Sequence, residues 1–380
     1  MMKQHVAQSK HSRSWQQWGI IIGFLLLLTG LVASNLIAWH QDQFTQIKHN
    51  GWQNFSRGEP MRALADDLRS TPFVAKLGRY QREIGWLLLQ DLGPHVRAGC
   101  PGWLFLVDEL KIHRNRQHHA TTRAQIVAQL HEKFAANGTR LVVLLVPDKS
   151  RVESEQLCQL KRSRQLFDRF DNWIQQLNQA GVEVIELNTP LSEQRIQSGS
   201  AFARTDTHWN LDGARAAAQF VAQQLTALGF SATNSIDLTV HYGAIQPNWG
   251  DLVRLAGIDQ LPEPLRPNPD WVFDVRFTAN LTNQIEVDAG ALFGDIDQQR
   301  IALVGTSFSQ NAHFSDFLVK FLHRDIGNFA YDGAGFSQSM KQFLKQENLD
   351  KVTLVLWEIP ERLIEEPLST VSKFSDINSL

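Results

Sequence analysis

The chain has 380 residues, 43% of them hydrophobic, with 37 Lys and Arg against 39 Asp and Glu and a formal charge of −2. That length allows one large domain or two ordinary ones, with enough apolar residues for a sizeable core. The balanced charge, with no basic stripe, excludes bulk electrostatic binding to nucleic acid.

Gly19 to Ala38 is a run of twenty residues without a charge. As a helix it spans about 30 Å, the thickness of a bilayer core. Trp18 and Trp39 flank it as interfacial anchors, and Lys3, Lys10 and Arg13 precede it with no acidic residue before Asp42. The positive-inside rule keeps residues 1–18 in the cytoplasm and exports the remainder. A cleaved signal peptide, cut near Val32 and Ser34, is the rival reading. The apolar run continues beyond that site, which favours an anchor over 19–39. Either way the bulk of the chain leaves the cytoplasm.

Residues 40–95 read as a membrane-proximal linker, helical over Met61–Leu68 and Gln81–Leu92, that packs onto the main domain. Pro60, Pro72 and Pro94 punctuate it. Pro101-Gly102 then opens a compact apolar strand, Gly102–Leu106. Cys100 and Cys158 are the two cysteines. In an oxidising compartment they could form one disulfide, and two free thiols fit equally well.

From Thr121 a helix-then-strand rhythm begins. Thr121–Asn137 is amphipathic and stopped by Gly138. Leu141–Val146 is apolar on both faces, as suits a central parallel strand, and Pro147 ends it. Arg162–Ala180 is the next helix and Val182–Leu187 the next strand. Ile301–Val304 and Asn328–Tyr331 are strands, Phe336–Glu347 a helix, and Lys351–Ile359 a β-rich run. Alternation with short connections means a doubly wound α/β sheet. Residues 232–297, rich in Pro, Asn and Asp, interrupt it as an irregular insertion with short strands, Trp271–Phe277 among them. Such an insertion near the active edge of a sheet often shapes a substrate groove. There are eleven Trp. Their faces stack well on sugar rings, although most Trp in any chain are core.

The chemistry gathers at two places. In Thr205-Asp206-Thr207-His208-Trp209-Asn210, Asp206 and His208 are two apart and point to one side of an extended or turning chain. Asp206 can then accept from one ring nitrogen of His208, freeing the other as a base. Asn210 caps the helix that follows. The nucleophile is Ser307, in Gly305-Thr306-Ser307-Phe308-Ser309 after a short apolar strand. Both places are read as strand-to-helix junctions of one sheet, where ligands gather. A helix after Ser307 would aim free N–H groups at the developing oxyanion. Taken alone, Ser307 is equally an N-cap, and Asp206 with His208 a surface pair. A metal site is the competing reading of that pair, but His118, His119, His313 and His323 supply no ligand spacing for one. Gly333-Ala334-Gly335 is a tight turn. Phosphate-loop, dinucleotide and Gly-x-Ser-x-Gly fingerprints are absent.

Five segments resemble the alginate O-acetyltransferase family of AlgJ and AlgX type: Gly102-Trp103-Leu104-Phe105, Asp206-Thr207-His208-Trp209 with Gly213-Ala214, Gly250-Asp251-Leu252, Gly305-Thr306-Ser307-Phe308-Ser309, and Trp357-Glu358-Ile359-Pro360-Glu361-Arg362. They fall in the family's order over about residues 100 to 362. The resemblance implies a circularly permuted SGNH-hydrolase-like domain over 96–370, with a tail over 371–380. It implies Ser307 as nucleophile, His208 as general base and Asp206 as its orienting carboxylate, with no cofactor and no metal. Thr306 stands where ordinary SGNH hydrolases carry Asp, and the Asp-His pair precedes the Ser. The chain ends soon after Arg362, without room for the carbohydrate-binding module of AlgX-type members. It is thus closer to the membrane-anchored AlgJ type, with polysaccharide grip delegated to the insertion or to a partner. The expected function is O-acetylation of an exported polysaccharide through an acetyl-enzyme. The expected location is the inner membrane with the catalytic domain in the periplasm, supplied with acetyl groups by a multi-pass membrane acyltransferase. The same triad with water as acceptor would make a carbohydrate acetylesterase, and a non-catalytic scaffold would keep only the fold.

Overall fold

The computed structural model describes residues 4–41, 58–230, 236–279, 300–346 and 349–368. Two compact units divide the chain, Met1–Asp91 and Leu92–Leu380.

The first unit is helical. Helix α1 (Gln4–His40) contains the uncharged run, and Gln17–His40 is long and apolar enough to cross a membrane. Helices α2 (Glu59–Ser70) and α3 (Pro72–Leu89) follow. Helix α3 starts nine residues before the expected Gln81. Pro72 occupies its first turn, where a missing N–H costs nothing.

The second unit opens with an antiparallel pair, β1 (Val96–Ala98) and β2 (Leu104–Leu106). The disulfide Cys100–Cys158 forms between the turn joining them and a segment 58 residues further on. The main sheet has five parallel strands in the order β4-β3-β9-β7-β8. They are β3 (Arg140–Val146), β4 (Glu183–Glu186), β7 (Arg300–Val304), β8 (Ile326–Asn328) and β9 (Val352–Pro360). The last strand in sequence fills the centre, paired with β3 on one side and β7 on the other.

Alternate side chains of each strand feed two separate cores. Val142, Leu144, Ile301, Leu303, Leu354 and Leu356 face one core. It is closed by α6 (Asn188–Ser198), α7 (Leu211–Ala227) and α8 (Phe314–Leu322). Leu141, Val143, Ala302, Val304, Val355 and Trp357 face the other. It is closed by α4 (Arg116–Ala136), α5 (Arg169–Gln179) and α9 (Gln338–Phe343). Helices on both faces of a parallel sheet are the expected doubly wound arrangement.

Several elements depart from the sequence reading. Helix α5 begins at Arg169 and not at Arg162. Arg162 is drawn into a buried ion cluster, 2.9 Å from Asp148 Oδ2 and 2.6 Å from Glu361 Oε1, and Arg169 joins the same carboxylates. The chain between them is a 3-10 turn capped by Ser163. Strand β8 precedes the expected Asn328–Tyr331, because the Asn328 side chain turns the chain, accepting from Ala330 N at 3.0 Å and donating to Ser309 O at 3.0 Å. The insertion is not short-stranded where described. It holds a long antiparallel ribbon, β5 (Leu238–Asn248) and β6 (Asp270–Ala279), with a register shift between Tyr242 and Ile245.

Candidate active site

Ser307 follows the carboxyl end of β7, and Gly305 makes that position possible. A Cβ on Gly305 would lie 2.5 Å from Glu358 Oε2 and 2.8 Å from Ser309 Oγ. Glu358 projects from β9 beneath the serine turn. It accepts from Thr306 N at 2.6 Å, from Thr306 Oγ1 at 3.0 Å and from Ser309 Oγ at 3.1 Å. Burial, above all, holds its carboxyl above the usual range against those bonds. Thr306, standing where ordinary SGNH hydrolases carry Asp, thus belongs to the platform under Ser307.

The helix expected after Ser307 is not there. Ser307–Ser309 and Asn311–His313 are separate 3-10 turns, and Ala312 (φ 53°) and His313 (φ 58°) lie in the left-handed region. Helix α8 begins only at Phe314. An oxyanion site at a helix N-terminus is therefore not available to Ser307.

Asp206 and His208 lie in the loop between α6 and α7, not directly after a strand as expected. A local hairpin shapes this loop: Phe202 bridges Trp209, Ala203 N donates to His208 O at 3.1 Å, and Asn210 N donates to Ala201 O at 3.0 Å. Asn210 then caps α7, its side chain accepting from Gly213 N at 2.8 Å. The loop carries its residues to Ser307. His208 Nδ1 is 2.6 Å from Asp206 Oδ1, and His208 Nε2 is 2.7 Å from Ser307 Oγ. The imidazole also meets the Phe308 ring edge-on, with centroids 4.9 Å apart.

Asp206 is tightly held. Burial acts to raise its pKa, but the hydrogen bond and charge of His208 and the N–H of Asp251 outweigh it, so the carboxyl lies below the usual range. Its Oδ2 accepts from Asp251 N at 2.9 Å. Asp251 in turn accepts from Thr207 N at 2.8 Å and from Thr207 Oγ1 at 2.5 Å. Burial first, then the neighbouring Asp206 charge, raises the Asp251 carboxyl. Asp206, His208 and Asp251 bring one ligand atom each within 4.8 Å of one another. Both oxygens of Asp206 already accept N–H groups, so this group is organised as hydrogen-bonded carboxylates around an imidazole.

Lys149 closes the site from below. Its fully buried Nζ donates to Leu104 O at 2.7 Å, Arg204 O at 2.9 Å and Asp206 O at 2.9 Å. The ammonium also lies 5.3 Å from the Trp103 ring centre and 5.2 Å from that of Phe105. The Gly102–Phe105 and Asp206–His208 segments are thus tied to one cation. Burial in the first place pushes that cation down to about 8, against the attraction of Glu109 and Asp206.

His208 and Ser307 are 7% and 8% exposed, so both side chains are sheltered but not sealed off. The opening is a polar pocket of about 610 Å³ lined beyond Asp206 and His208 by Asn248, Trp249, Arg254, Arg266, Asn311 and Asp332. Most of these come from the insertion, which does shape the groove. Sequence reasoning named Ser307, His208 and Asp206 but gave no role to Asp251, Lys149 or Glu358. For Asp251 and Glu358 the signal was their presence in the family segments. For Lys149 it was only a charged residue after the Pro147 strand end.

A doubly wound parallel sheet with a Ser, a His and an Asp in hydrogen-bond sequence at its carboxyl edge fits the SGNH-hydrolase-like fold. Residues 96–361 match the family model of the SGNH hydrolase-like domain, acetyltransferase AlgX, and the chain belongs to that family. It is an acyltransferase. It is 30% identical over 328 residues to a probable alginate O-acetylase AlgJ of Pseudomonas putida, covering 83% of this chain and 84% of that protein. It is 31% identical over 302 residues to the Azotobacter vinelandii protein of the same name, covering 77% of this chain and 75% of the other. The fold superposes on the O-acetyltransferase domain of Pseudomonas putida AlgJ with a TM-score of 0.64 at 27% identity, covering 75% of this chain and 98% of that one.

Proposed function

We propose that this protein O-acetylates an exported polysaccharide through an acetyl-enzyme on Ser307. The observation that carries the reading is the continuous line Asp206–His208–Ser307, with contacts of 2.6 and 2.7 Å, beside an open pocket. His208 Nε2 takes the Ser307 proton as Oγ attacks the acetyl carbonyl. It returns that proton to the departing donor group, leaving an acetyl ester on Ser307. A sugar hydroxyl then gives its proton to His208 and attacks the ester, and Ser307 regains its proton as the product forms. Asp206 keeps the imidazole in the tautomer whose Nε2 faces Ser307.

The relatives named alginate O-acetylase support alginate as the acceptor. Helix α1 supports a single-pass inner-membrane anchor with the catalytic unit in the periplasm. A multi-pass membrane acyltransferase is the proposed source of acetyl groups.

The test is turnover of a chromogenic acetyl ester by the full-length protein in detergent, with and without alginate oligosaccharide. Acetylated oligosaccharide should appear with the wild type and not with Ser307→Ala. Release of acetate alone, whether or not acceptor is present, would make the protein an esterase. Polymer acetylation unaffected by Ser307→Ala would leave it a scaffold.

A further inference from the structure

The ribbon of β5 and β6 has one polar and one apolar face. Cross-strand pairing puts Trp271 opposite Pro247, Phe273 opposite Ile245 and Val275 opposite Tyr242, all on one face. At one end of the ribbon that face is core: Val275 is buried, and Phe277 meets the Phe317 ring at 5.1 Å. Toward the other end it emerges. Trp271 is 66% exposed, Ile245 54%, Tyr242 50% and Phe273 45%. Tyr242 and Phe273 stand edge to face, 5.7 Å apart.

The emerging end is joined to the active site. Asp270, the first residue of β6, accepts from Thr205 N at 3.0 Å and Thr205 Oγ1 at 2.7 Å, next to Asp206. Pro247 and Asn248, at the end of β5, line the pocket that holds Asp206 and His208. The exposed aromatic row therefore begins where the catalytic pocket ends.

We infer that this row is a binding track for the acceptor polysaccharide, on which sugar rings stack their C–H faces as the chain leads to Ser307. The inference rests on the polysaccharide reading above for the identity of the ligand. The shape of the surface favours a sugar chain over other occupants. It is a row one or two side chains wide, whereas a stable protein interface needs about 800 Å² per partner. The one Lys or Arg of the two strands, Arg276, is paired with Asp274 at 3.0 Å, so the row would hold its ligand by ring faces and not by charge, as a stacking track for sugar C–H faces does. Trp271 and Phe273, two apart on one strand, are about 7 Å from one another along it, on the scale of a sugar unit.

The test is binding of fluorescein-labelled alginate oligosaccharide to the full-length protein in detergent, followed by anisotropy. The double substitution Trp271→Ala with Phe273→Ala is expected to weaken binding by about tenfold, the scale of losing one to two anchoring contacts. Trp271→Tyr, which keeps a stacking face, should bind close to wild type, and both variants should turn over a chromogenic acetyl ester without acceptor at the wild-type rate. Equal affinity of wild type and double variant overturns the inference, as does a wild type that shows no saturable binding. So does a variant that loses binding to phosphatidylglycerol vesicles while its oligosaccharide affinity is unmoved. A wild type that binds the oligosaccharide through this face leaves the track standing even where it is inert toward free acetyl esters, since the proposed membrane acetyl supplier is absent from that assay.

Discussion

His208 Nε2 lies 2.7 Å from Ser307 Oγ across 99 residues of sequence. One residue sits in a hairpin before α7 and the other in a 3-10 turn after β7, so only the assembled fold makes the pair. If that contact carries the proton, Ser307→Ala and His208→Ala should each abolish ester turnover to the background of the pocket. Asp206→Asn should keep the fold but present the wrong imidazole tautomer, lowering kcat by about 10⁴. Steady-state kinetics on the three variants checks this. Activity retained by both Ser307→Ala and His208→Ala would place the chemistry elsewhere.

Gly250 offers a test of how closely the base must be held. A Cβ there would sit 2.5 Å from Asp206 Cβ and 2.5 Å from Thr205 O, which are a near neighbour and backbone that cannot swing aside. Gly250→Ala should push Asp206 away from His208. A shift on the order of 1 Å is expected to cost about 10² in kcat, with KM for the ester little changed. Near-wild-type kcat would show that the loop can give way without losing its alignment.

The central strands β3, β4, β7 and β9 were legible in sequence because local patterns carry them, and Asp206, His208 and Ser307 were singled out by the Asp-x-His spacing together with the family segments. The run Leu141–Val146 is apolar on both faces, and Asp206 and His208 lie within one turn of each other. What was hidden depends on distant partners. Asp251 acts on Asp206 from 45 positions away, out of a stretch whose Pro and Asn content reads as irregular. The ribbon itself was obscured because Gly243 and Pro247 interrupt its alternation. The start of α5 was misread because Arg162 satisfies a buried Asp148 and Glu361 instead of extending a helix. The oxyanion helix was inferred from the usual sequel to such a strand, and the left-handed Ala312 and His313 break it.

Glu358 links stability to the serine turn. Its carboxylate pairs with the Thr306 N–H, the Thr306 hydroxyl and the Ser309 hydroxyl, all buried. Glu358→Ala leaves at least the backbone donor without a partner, at a cost of about 1–3 kcal/mol. A lower melting temperature and reduced turnover should appear together. Glu358→Gln retains an acceptor oxygen and should be milder on both counts. Full activity and stability in Glu358→Ala would separate the turn from its platform.

Lys149 predicts opposite pH trends for activity and for stability. Its ammonium holds the carbonyls of Leu104, Arg204 and Asp206, and burial has pushed it down to about 8. As pH rises through 8 the group loses a donor hydrogen and the Asp206–His208 loop loses part of its anchorage, so turnover should decline on that alkaline limb if the proposed triad carries the reaction. The stability contribution runs the other way. Unfolded, the lysine keeps its proton to about 10.4, so between these values the unfolded chain binds more protons and stability from this group rises with pH. Lys149→Met has no such group. Its turnover should be low and lack the limb near 8, and the melting temperature of wild type relative to it should climb between about pH 8 and 10. A wild-type alkaline limb that persists unchanged in Lys149→Met would assign it to another residue.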